Sequence, residues 1–172
     1  VMVGMMGAGK TAVGRALAAR LGVPFLDSDA EIESAANMTI PEIFARDGER
    51  FFRQKESQVI ARLLEEARGV LSTGGGAFLA EANRRMISDK GVSVWLKADL
   101  PTLWNRVRHR DTRPLLRTAD PRATLRDLYE ARVPLYSQAD IAVISDGDTA
   151  IETMVDRVIE ALKSRPDVLE QK

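Results

Sequence analysis

The chain has 172 residues, about the size of a single domain. Apolar residues make up 45% of it and charged residues 29%, which is typical of a soluble globular protein. Because 25 basic residues balance 25 acidic ones, the net charge is zero, which disfavours a general nucleic-acid-binding protein. With no cysteine and a single histidine, His109, the chain can form no disulfide, thiolate metal site, cysteine nucleophile or multi-histidine metal site.

The sequence predicts no targeting or membrane segment. No stretch approaches the roughly 18 consecutive apolar residues that a membrane span needs. The first residues also lack the basic and then apolar pattern of a signal peptide. We therefore expect a cytoplasmic protein without a membrane or nucleic-acid partner. The apolar run at residues 1–3 is short for a strand, so we expect further residues upstream of Val1 in the natural protein.

Short apolar runs alternate with amphipathic segments along the chain. The runs predict five strands, at residues 1–3, 25–26, 70–71, 92–96 and 141–144. Helices are predicted between them, beginning at Lys10, at a capping box over residues 39–42, after Asp99, at residues 120–121, and at a second capping box over residues 149–152. This alternation predicts one α/β domain over residues 1–172, with a parallel sheet covered by helices on both faces.

A glycine-rich motif follows the first apolar run. Residues 4–11 read Gly-Met-Met-Gly-Ala-Gly-Lys-Thr, which matches G-x-x-x-x-G-K-[ST] in full. Its glycines let backbone N–H groups wrap phosphate oxygens, and the positive end of the next helix points at the same anion. Lys10 can reach the β- and γ-phosphates, and the Thr11 hydroxyl can bind Mg²⁺. A chance glycine turn is the alternative, but the flanking strand and amphipathic helix favour nucleotide binding.

Further residues indicate what the nucleotide is used for. The sequence contains no Asn- or Thr-Lys-x-Asp element, which disfavours a guanine-nucleotide switch, and the chain is short for a helicase or motor. Asp27 and Asp29 follow the second apolar run, at the strand end where α/β sheets bind ligands. Such carboxylates can hold Mg²⁺ through water or accept a proton from a substrate hydroxyl. The alternative is a helix N-cap, supplied by Ser28 or Asp29.

Glycines and arginines supply two more features. Residues 73–76, Thr-Gly-Gly-Gly, follow the third run, where glycines let a ligand approach the backbone; a flexible loop is the alternative. Eight basic and four acidic residues lie between positions 106 and 132, which suits a positive loop facing phosphates or a solvated basic helix face. Arg132 has no acidic residue at helical spacing, which favours an anionic ligand, whereas Glu49 and Glu56 are both within helical reach of Arg53.

Taken in order, these motifs resemble the shikimate kinase family over nearly the whole chain. The elements are G-x-x-G-x-G-K-T, D-S-D, I-F-A-x-D-G-E-x-x-F-R, T-G-G-G-A, R-P-L-L and R-x-P-L-Y. Each is weak alone, but the ordered set is specific. The resemblance implies a three-layer α/β/α P-loop kinase fold with a five-stranded parallel sheet. It also implies a small substrate-binding helical segment at about residues 30–58 and a lid at about 109–120, and we expect residues 165–172 to fray.

The resemblance implies transfer of a phosphoryl group from ATP, with Mg²⁺, to the 3-hydroxyl of shikimate. We expect a monomer whose partners are these small molecules. The implied catalytic residues are Lys10, Asp29 and Arg113. The implied ATP-binding residues are Gly7, Ala8, Gly9, Lys10, Thr11, Ala12, Arg106 and Arg113. The implied shikimate-binding residues are Asp29, Arg53, Gly75, Gly76 and Arg132, and the magnesium-linked residues are Thr11 and Asp27.

The resemblance also bears on the base of the nucleotide. It puts Arg106 beside adenine and a second adenine-side segment at residues 145–148. That segment reads Ser-Asp-Gly-Asp and lacks the basic residue that some members of the family carry.

Two alternatives stay open at this point. A related P-loop kinase of gluconate or another sugar acid would share the phosphate cradle, the lid and the need for arginines. A non-catalytic nucleotide-dependent switch would bind ATP but turn over no small substrate. In a switch, Asp29, Arg53 and Arg132 would have no purpose.

Overall fold

Five parallel strands form the centre of the computed structural model, which describes residues 1–66, 68–74, 76–108, 119–146 and 149–165. The strands are β1 (Met2–Val3), β2 (Phe25–Asp27), β3 (Val70–Ser72), β4 (Val94–Lys97) and β5 (Ile141–Ile144). Their order across the sheet is β2-β3-β1-β4-β5, and every neighbouring pair is parallel. Each strand overlaps one of the five apolar runs, so the predicted five-stranded parallel sheet is confirmed.

Seven α-helices lie among the described residues. They are α1 (Lys10–Leu21), α2 (Ser28–Ala36), α3 (Ile40–Glu66), α4 (Glu81–Lys90), α5 (Leu100–Val107), α6 (Pro121–Tyr136) and α7 (Ile151–Leu162). The predicted helix starts at Lys10, after Asp99 and after Asp120 are confirmed. The Asp99 and Asp120 side chains cap α5 and α6 by accepting hydrogen bonds from the backbone amides of Thr102 and Ala123.

The capping box predicted at the start of α3 is present. The Thr39 hydroxyl oxygen accepts the amide hydrogen of Glu42, and Glu42 Oε1 accepts that of Thr39, each at 3.3 Å. Further along, α3 is interrupted at Gly48, where φ is 85° and ψ is 167°. A positive φ of this size favours glycine, so the long helix divides at this residue into two parts.

The second capping box, predicted over residues 149–152, is wrong. Helix α7 begins at Ile151, and the residue before it is Ala150, whose side chain forms no capping hydrogen bond. Thr149 stands one position too early for its hydroxyl to reach the free amides of the first turn. Its own amide donates instead to the Asp146 carbonyl at 3.3 Å.

Helices cover the sheet, with α1 and α7 in contact with one another and α3 in contact with α4. Both α4 and α6 contact a short 3₁₀ turn, Ala77–Leu79, which follows the glycine run. One main apolar core joins the strands to these helices. A second, smaller core of Ile32, Ile43 and Phe52 joins α2 to α3. Within the described part of the chain, no helix is long and apolar enough to cross a membrane.

The topology brings three predicted site segments to one edge of the sheet. The glycine-rich loop follows β1, residues 27–29 lie at the end of β2, and residues 73–76 follow β3. Because the strands are parallel, all three segments leave from the carboxyl edge, where α/β proteins bind their ligands.

The opposite edge of the sheet is held by a reciprocal contact between Asp140 and Ser93. Asp140 Oδ2 accepts the backbone amide of Ser93 at 2.9 Å and its hydroxyl at 3.1 Å, while Ser93 Oγ accepts the Asp140 amide at 2.9 Å. Ser93 is fully buried, so no water can replace these bonds. The contact fixes the start of β5 against the start of β4.

We expect Asp140→Ala to lower the free energy of unfolding by about 2–3 kcal/mol, because it leaves buried donors of Ser93 unpaired. Urea unfolding measures the change. Asp89→Ala removes an exposed carboxylate of α4 as the control and should change the value by less than about 0.5 kcal/mol. An Asp140→Ala protein as stable as the parent would contradict this account of the sheet edge.

Candidate active site

The loop between β1 and α1 has the backbone geometry of a phosphate cradle. Gly4, Gly7 and Gly9 have φ values of 146°, 85° and 95°, a region that favours glycine. A Cβ on Gly7 would lie 2.7 Å from Cγ1 of Val107, so a side chain at that position would also clash. Gly9 is the N-cap of α1, and the amino end of a helix is suited to bind an anion.

The remaining residues of this loop surround the start of α1. Lys10 Nζ donates to the Gly4 carbonyl at 2.6 Å and to the Met5 carbonyl at 3.3 Å, which holds the ammonium group against the loop. Thr11 and Ala12 are exposed in the first turn of α1, and Ala8 is buried. The predicted ATP-binding positions 7–12 therefore form one continuous loop and helix start.

Asp27, at the end of β2, is the N-cap of α2. Its Oδ1 atom accepts the amide hydrogens of Asp29 at 2.9 Å and of Ala30 at 3.2 Å. The alternative in which Ser28 or Asp29 supplies this cap is wrong, because α2 begins at Ser28, directly after the strand. The Asp29 carboxylate is consequently not used as the cap.

Asp29 carries a buried oxygen, Oδ1, that accepts no hydrogen bond from any described residue. A Cβ on Gly74 would lie 2.9 Å from this oxygen, so the carboxylate rests directly against the Gly74 backbone. Burial, followed by the charge of Asp27, raises the pKa of Asp29 to about 6, against the opposing charges of Lys10 and Arg53. A buried, unbonded acceptor within charge reach of two cations is suited to receive a ligand hydroxyl.

Arg53 reaches the glycine run from α3. A Cβ on Gly76 would lie 2.5 Å from both Nη1 and Nη2, so the guanidinium group lies directly on the Gly76 backbone. Nη1 donates to Oε1 of Glu56 at 3.0 Å, and Nε lies 3.6 Å from Oε1 of Glu49. The side chain is 34% exposed, so part of the guanidinium group stays open to a ligand.

Glu56 lies beside Arg53 and is not among the site residues predicted from the sequence. Its side chain is 1% exposed, and its Oε2 atom accepts no hydrogen bond among the described residues. Burial raises the pKa of Glu56, the charge and hydrogen bond of Arg53 oppose this shift, and the charge of Asp29 adds to it. The spacing from Arg53 was visible in the sequence, but Glu49 is also within reach, and only the packing distinguishes the buried partner.

Arg132, on α6, is 8% exposed. Its positive charge acts on the hydroxyl of Tyr136, one helical turn further on. Burial raises the pKa of Tyr136, and the charges of Arg132 and Arg53 oppose this shift, so both guanidinium groups lie within charge reach of the same hydroxyl. The Tyr136 ring stacks 6.4 Å from Phe78 of the 3₁₀ turn. The structure thus brings the two predicted substrate-binding arginines together.

Arg106, on α5, lies on the other side of the phosphate loop. Its Nη1 atom donates to the Gly7 carbonyl at 3.0 Å and to Ser145 Oγ at 3.3 Å. Its Nη2 atom donates to the Asp146 carbonyl at 3.0 Å. Arg106 therefore joins the phosphate loop to the segment that follows β5.

Two predicted site residues, Gly75 and Arg113, lie outside the described residues. The same is true of residues 109–118, which make up most of the predicted lid, and of residues 166–172 in the predicted tail.

The described site residues form two groups at the carboxyl edge of the sheet. Asp29, Arg53 and Gly76 are on the side of β2 and β3, and Arg106 is on the side of β4 and β5. Phosphoryl transfer needs a cradle for phosphates, cations around it, and a carboxylate that can orient the accepting hydroxyl. Fold and site together define a P-loop kinase.

Comparison with known proteins specifies the family. A sequence model of the shikimate kinase family matches residues 6–163. Shikimate kinase of Ruegeria pomeroyi is 85% identical over 170 residues, which span 99% of this chain and 87% of that protein. Shikimate kinase of Cereibacter sphaeroides is 72% identical over 170 residues, spanning 99% of this chain and 85% of that protein.

A solved structure agrees. The shikimate kinase from Acinetobacter baumannii in complex with shikimate has a TM-score of 0.89 with this chain at 39% identity, covering 95% of this chain and 91% of that one. The chain therefore belongs to the shikimate kinase family and is an ATP-dependent kinase. The expected family and fold class are confirmed, and shikimate is favoured over gluconate as the substrate.

We expect Asp29→Asn to stabilise the protein, measured without nucleotide or magnesium, and to do so more strongly at neutral than at acidic pH. Burial raises the pKa of Asp29 from its ordinary value of 3.8 to about 6 in the folded chain, so ionisation of this residue disfavours folding as pH rises through that interval. An amide carries no such charge at any pH. The gain over the parent should be largest above pH 6 and should shrink toward pH 4.

Thermal unfolding at about pH 7.5 and about pH 4.5 measures this difference. Asp89→Asn, at an exposed position of α4, is the control for loss of one carboxylate. A stability gain that grows as the pH falls would contradict the assignment.

Proposed function

We propose that this chain transfers the γ-phosphoryl group of ATP to the 3-hydroxyl of shikimate, producing shikimate 3-phosphate and ADP. The observation that carries the proposal is the buried, unbonded oxygen of Asp29, which rests on Gly74 within charge reach of Lys10 and Arg53. In this proposal, the oxygen is the acceptor for a substrate hydroxyl, and it lies beside the proposed phosphate loop. The shikimate held by the Acinetobacter baumannii relative supports the choice of substrate.

In the proposed reaction, the 3-hydroxyl oxygen attacks the γ-phosphorus while the bond from that phosphorus to the β–γ bridging oxygen breaks. Asp29 accepts the hydrogen bond of the attacking hydroxyl and takes its proton as the new bond forms. ADP leaves with the bridging oxygen. Because this reaction depends on positioning and charge neutralisation, we assign Lys10 and Arg113 to the charge that develops on the transferred group.

We assign the shikimate carboxylate to Arg53 and Arg132, because a guanidinium group can donate two parallel hydrogen bonds to a carboxylate. Glu56 holds one nitrogen of Arg53 at 3.0 Å, which orients the donors that remain. Gly75 and Gly76 would contact shikimate through backbone atoms alone. The close approach of Arg53 to Gly76 supports such a contact at Gly76.

We assign the phosphates of ATP to the loop and to the first turn of α1, with the base toward Arg106. The residues concerned are Gly7, Ala8, Gly9, Lys10, Thr11 and Ala12. This assignment is supported by the positive φ values of the loop glycines and by the start of α1 directly after the loop, because the amino end of a helix attracts anions.

Thr11 and Asp27 are the residues that would hold Mg²⁺. The Thr11 side chain is exposed at the start of α1, and Asp27 uses its Oδ1 atom for the α2 cap. The described residues contain no group of three or more His, Cys, Asp or Glu that could enclose a metal. This donor set fits Mg²⁺, which keeps several waters and binds one or two carboxylates together with substrate phosphates. When bound, Mg²⁺ would neutralise phosphate charge.

We also propose that residues about 30–58 are the substrate-binding segment and that residues about 109–120 close over the site as a lid. The separate small core of Ile32, Ile43 and Phe52 supports the first assignment, because it packs α2 and α3 into a unit beside the main core. A monomeric state, a cytoplasmic location and the lack of nucleic-acid or membrane partners stay predictions.

A coupled ADP-release assay with Mg·ATP tests the function directly. We expect ADP release only when shikimate is present, and none when gluconate replaces it. Asp29→Asn is the folded control and should bind ATP with little turnover. Equal rates with gluconate, or ATP binding without shikimate-dependent release, would overturn the proposal.

We expect Arg132→Ala to weaken shikimate binding by about 2–3 kcal/mol, because a charge-assisted bidentate contact is lost. Calorimetric titration with shikimate measures the loss, and a parallel titration with ATP should show no change. Arg126→Ala on the same helix is the matched control, since Arg126 is exposed and lies 3.8 Å from its partner Asp127. Unchanged shikimate affinity in Arg132→Ala would remove this residue from the site.

We expect Gly76→Ala to raise the KM for shikimate about tenfold through displacement of Arg53, a loss typical of a charge-assisted hydrogen bond. The backbone at Gly76 has φ of −91° and ψ of −11°, which alanine adopts freely, so thermal stability should change little. Gly91→Ala is the control because its Cβ would meet only ordinary contacts, the nearest at 3.6 Å. A rise in the ATP KM of the same size would contradict the mechanism.

A further inference from the structure

The three residues that leave β5, Ile144, Ser145 and Asp146, are held by arginines from two helices; we call them the β5 exit. From α5, Arg106 donates to Ser145 Oγ and to the Asp146 carbonyl. From α7, Arg157 Nη1 donates to the Ile144 carbonyl at 2.9 Å and to Oδ2 of Asp146 at 3.2 Å. The β5 exit is therefore fixed at three successive residues by side chains distant in sequence.

The β5 exit forms one wall of the phosphate loop. Ser145 is 3% exposed, and its hydroxyl donates to the Ala8 carbonyl at 3.4 Å. The Ser145 amide continues the sheet by donating to the Lys97 carbonyl at 2.8 Å. Because Arg106 also donates to the Gly7 carbonyl at 3.0 Å, a displacement of the β5 exit would be transmitted to the loop.

The geometry of phosphoryl transfer assigns the nucleotide to this side. The attacking and leaving oxygens lie roughly in line through the transferred phosphorus, so the two substrates must approach the loop from opposite sides. Asp29 and Arg53 occupy the side of β2 and β3. The part of the nucleotide beyond its phosphates must then extend toward β4 and β5, where the β5 exit lies.

The β5 exit would present an unfavourable charge to that nucleotide. The Asp146 carboxylate is exposed, and residues 145–148 contain a second aspartate and no basic residue. The phosphates of a nucleotide bound in the adjoining loop would be repelled by this acidic segment unless a cation offsets its charge. Arg157, which bonds the Asp146 carboxylate, supplies that cation from α7.

We propose that Arg157 is a positioning residue for the nucleotide. It holds the β5 exit against the phosphate loop through Ile144 and offsets the charge of Asp146. The inference rests on the proposed function in taking ATP as the nucleotide and shikimate as the acceptor. The role predicts a selective effect on one of two substrates, which loss of general stability would not produce.

Steady-state kinetics and ADP titration of Arg157→Gln provide the test. We expect the KM for ATP and the Kd for ADP to rise about fivefold, as for loss of one partly exposed charge-assisted contact. The KM for shikimate should stay within about twofold of the parent value. Arg157→Lys should recover part of the loss, because lysine keeps the positive charge but has no planar fork.

The matched control is Arg20→Gln. Arg20 also binds α7 from outside, with ion pairs to Glu152 at 3.0 Å and to Asp156 at 2.6 Å, but it does not contact the β5 exit. We expect this variant to leave both KM values unchanged. If Arg157 acted only by anchoring α7, the two glutamine variants would behave alike.

A double-variant cycle tests whether Arg157 acts through Asp146. In an Asp146→Asn background, the effect of Arg157→Gln on the ATP KM should fall to about twofold, because the charge to be offset is absent. If the effects of the two substitutions on the ATP KM were additive, Arg157 would not act through Asp146. If Arg157→Gln fails to fold, the same comparisons are made with Arg157→Lys, for which we expect a smaller rise in the ATP KM.

Equal rises in both KM values, or no change in either, would overturn the proposal. Failure of the proposed function looks different, because the parent protein itself would then show no shikimate-dependent ADP release. ADP titration needs no shikimate, so it decides the role of Arg157 in either case.

Discussion

The charged side chains of Asp29 and Arg53 lie directly on the backbone of the glycine run that follows β3. The part of the site that is proposed to bind the phosphate acceptor depends on this contact. A Cβ would lie 2.9 Å from the Asp29 carboxylate at Gly74 and 2.5 Å from the Arg53 guanidinium at Gly76. Both charged groups reach the backbone only because no side chain intervenes there. Since β3 pairs directly with β1, this backbone also adjoins the phosphate loop. In the proposed reaction, this close backbone approach would bring the accepting hydroxyl and the phosphates together.

The same contact explains an unusual concentration of incompletely bonded carboxylates. Asp29 and Glu56 each bury one oxygen that accepts no hydrogen bond among the described residues. Such groups are destabilising unless a partner arrives, and natural proteins concentrate them at functional sites. Here the neighbouring guanidinium group of Arg53 holds positive charge close to both carboxylates. A hydroxylated carboxylate ligand would supply both the missing donors and the missing anion.

The two edges of the sheet differ in role: one contributes to stability, and the other carries the candidate site. Its amino edge is closed by the reciprocal bonds of Asp140 and Ser93, at the opposite end of the strands from the described site residues. Its carboxyl edge carries the acceptor groups on the side of β2 and β3, and Arg106 on the side of β4 and β5. Arginines occur in both groups of site residues because one guanidinium group can bond several carbonyl or carboxylate oxygens at once.

The sequence by itself determined the phosphate loop, the five strands and most helix starts, because these depend on residues only a few positions apart. It did not predict α4, whose buried residues are only Asn83 and Ile87, too few for an apolar stripe. It also left open which glutamate is the buried partner of Arg53 and which groups Arg106 contacts. Tertiary structure decided these, since they rest on burial or on contacts such as Arg106 to Gly7, which spans 99 residues of sequence. A local sequence pattern does not show which residues that are distant in sequence are buried together.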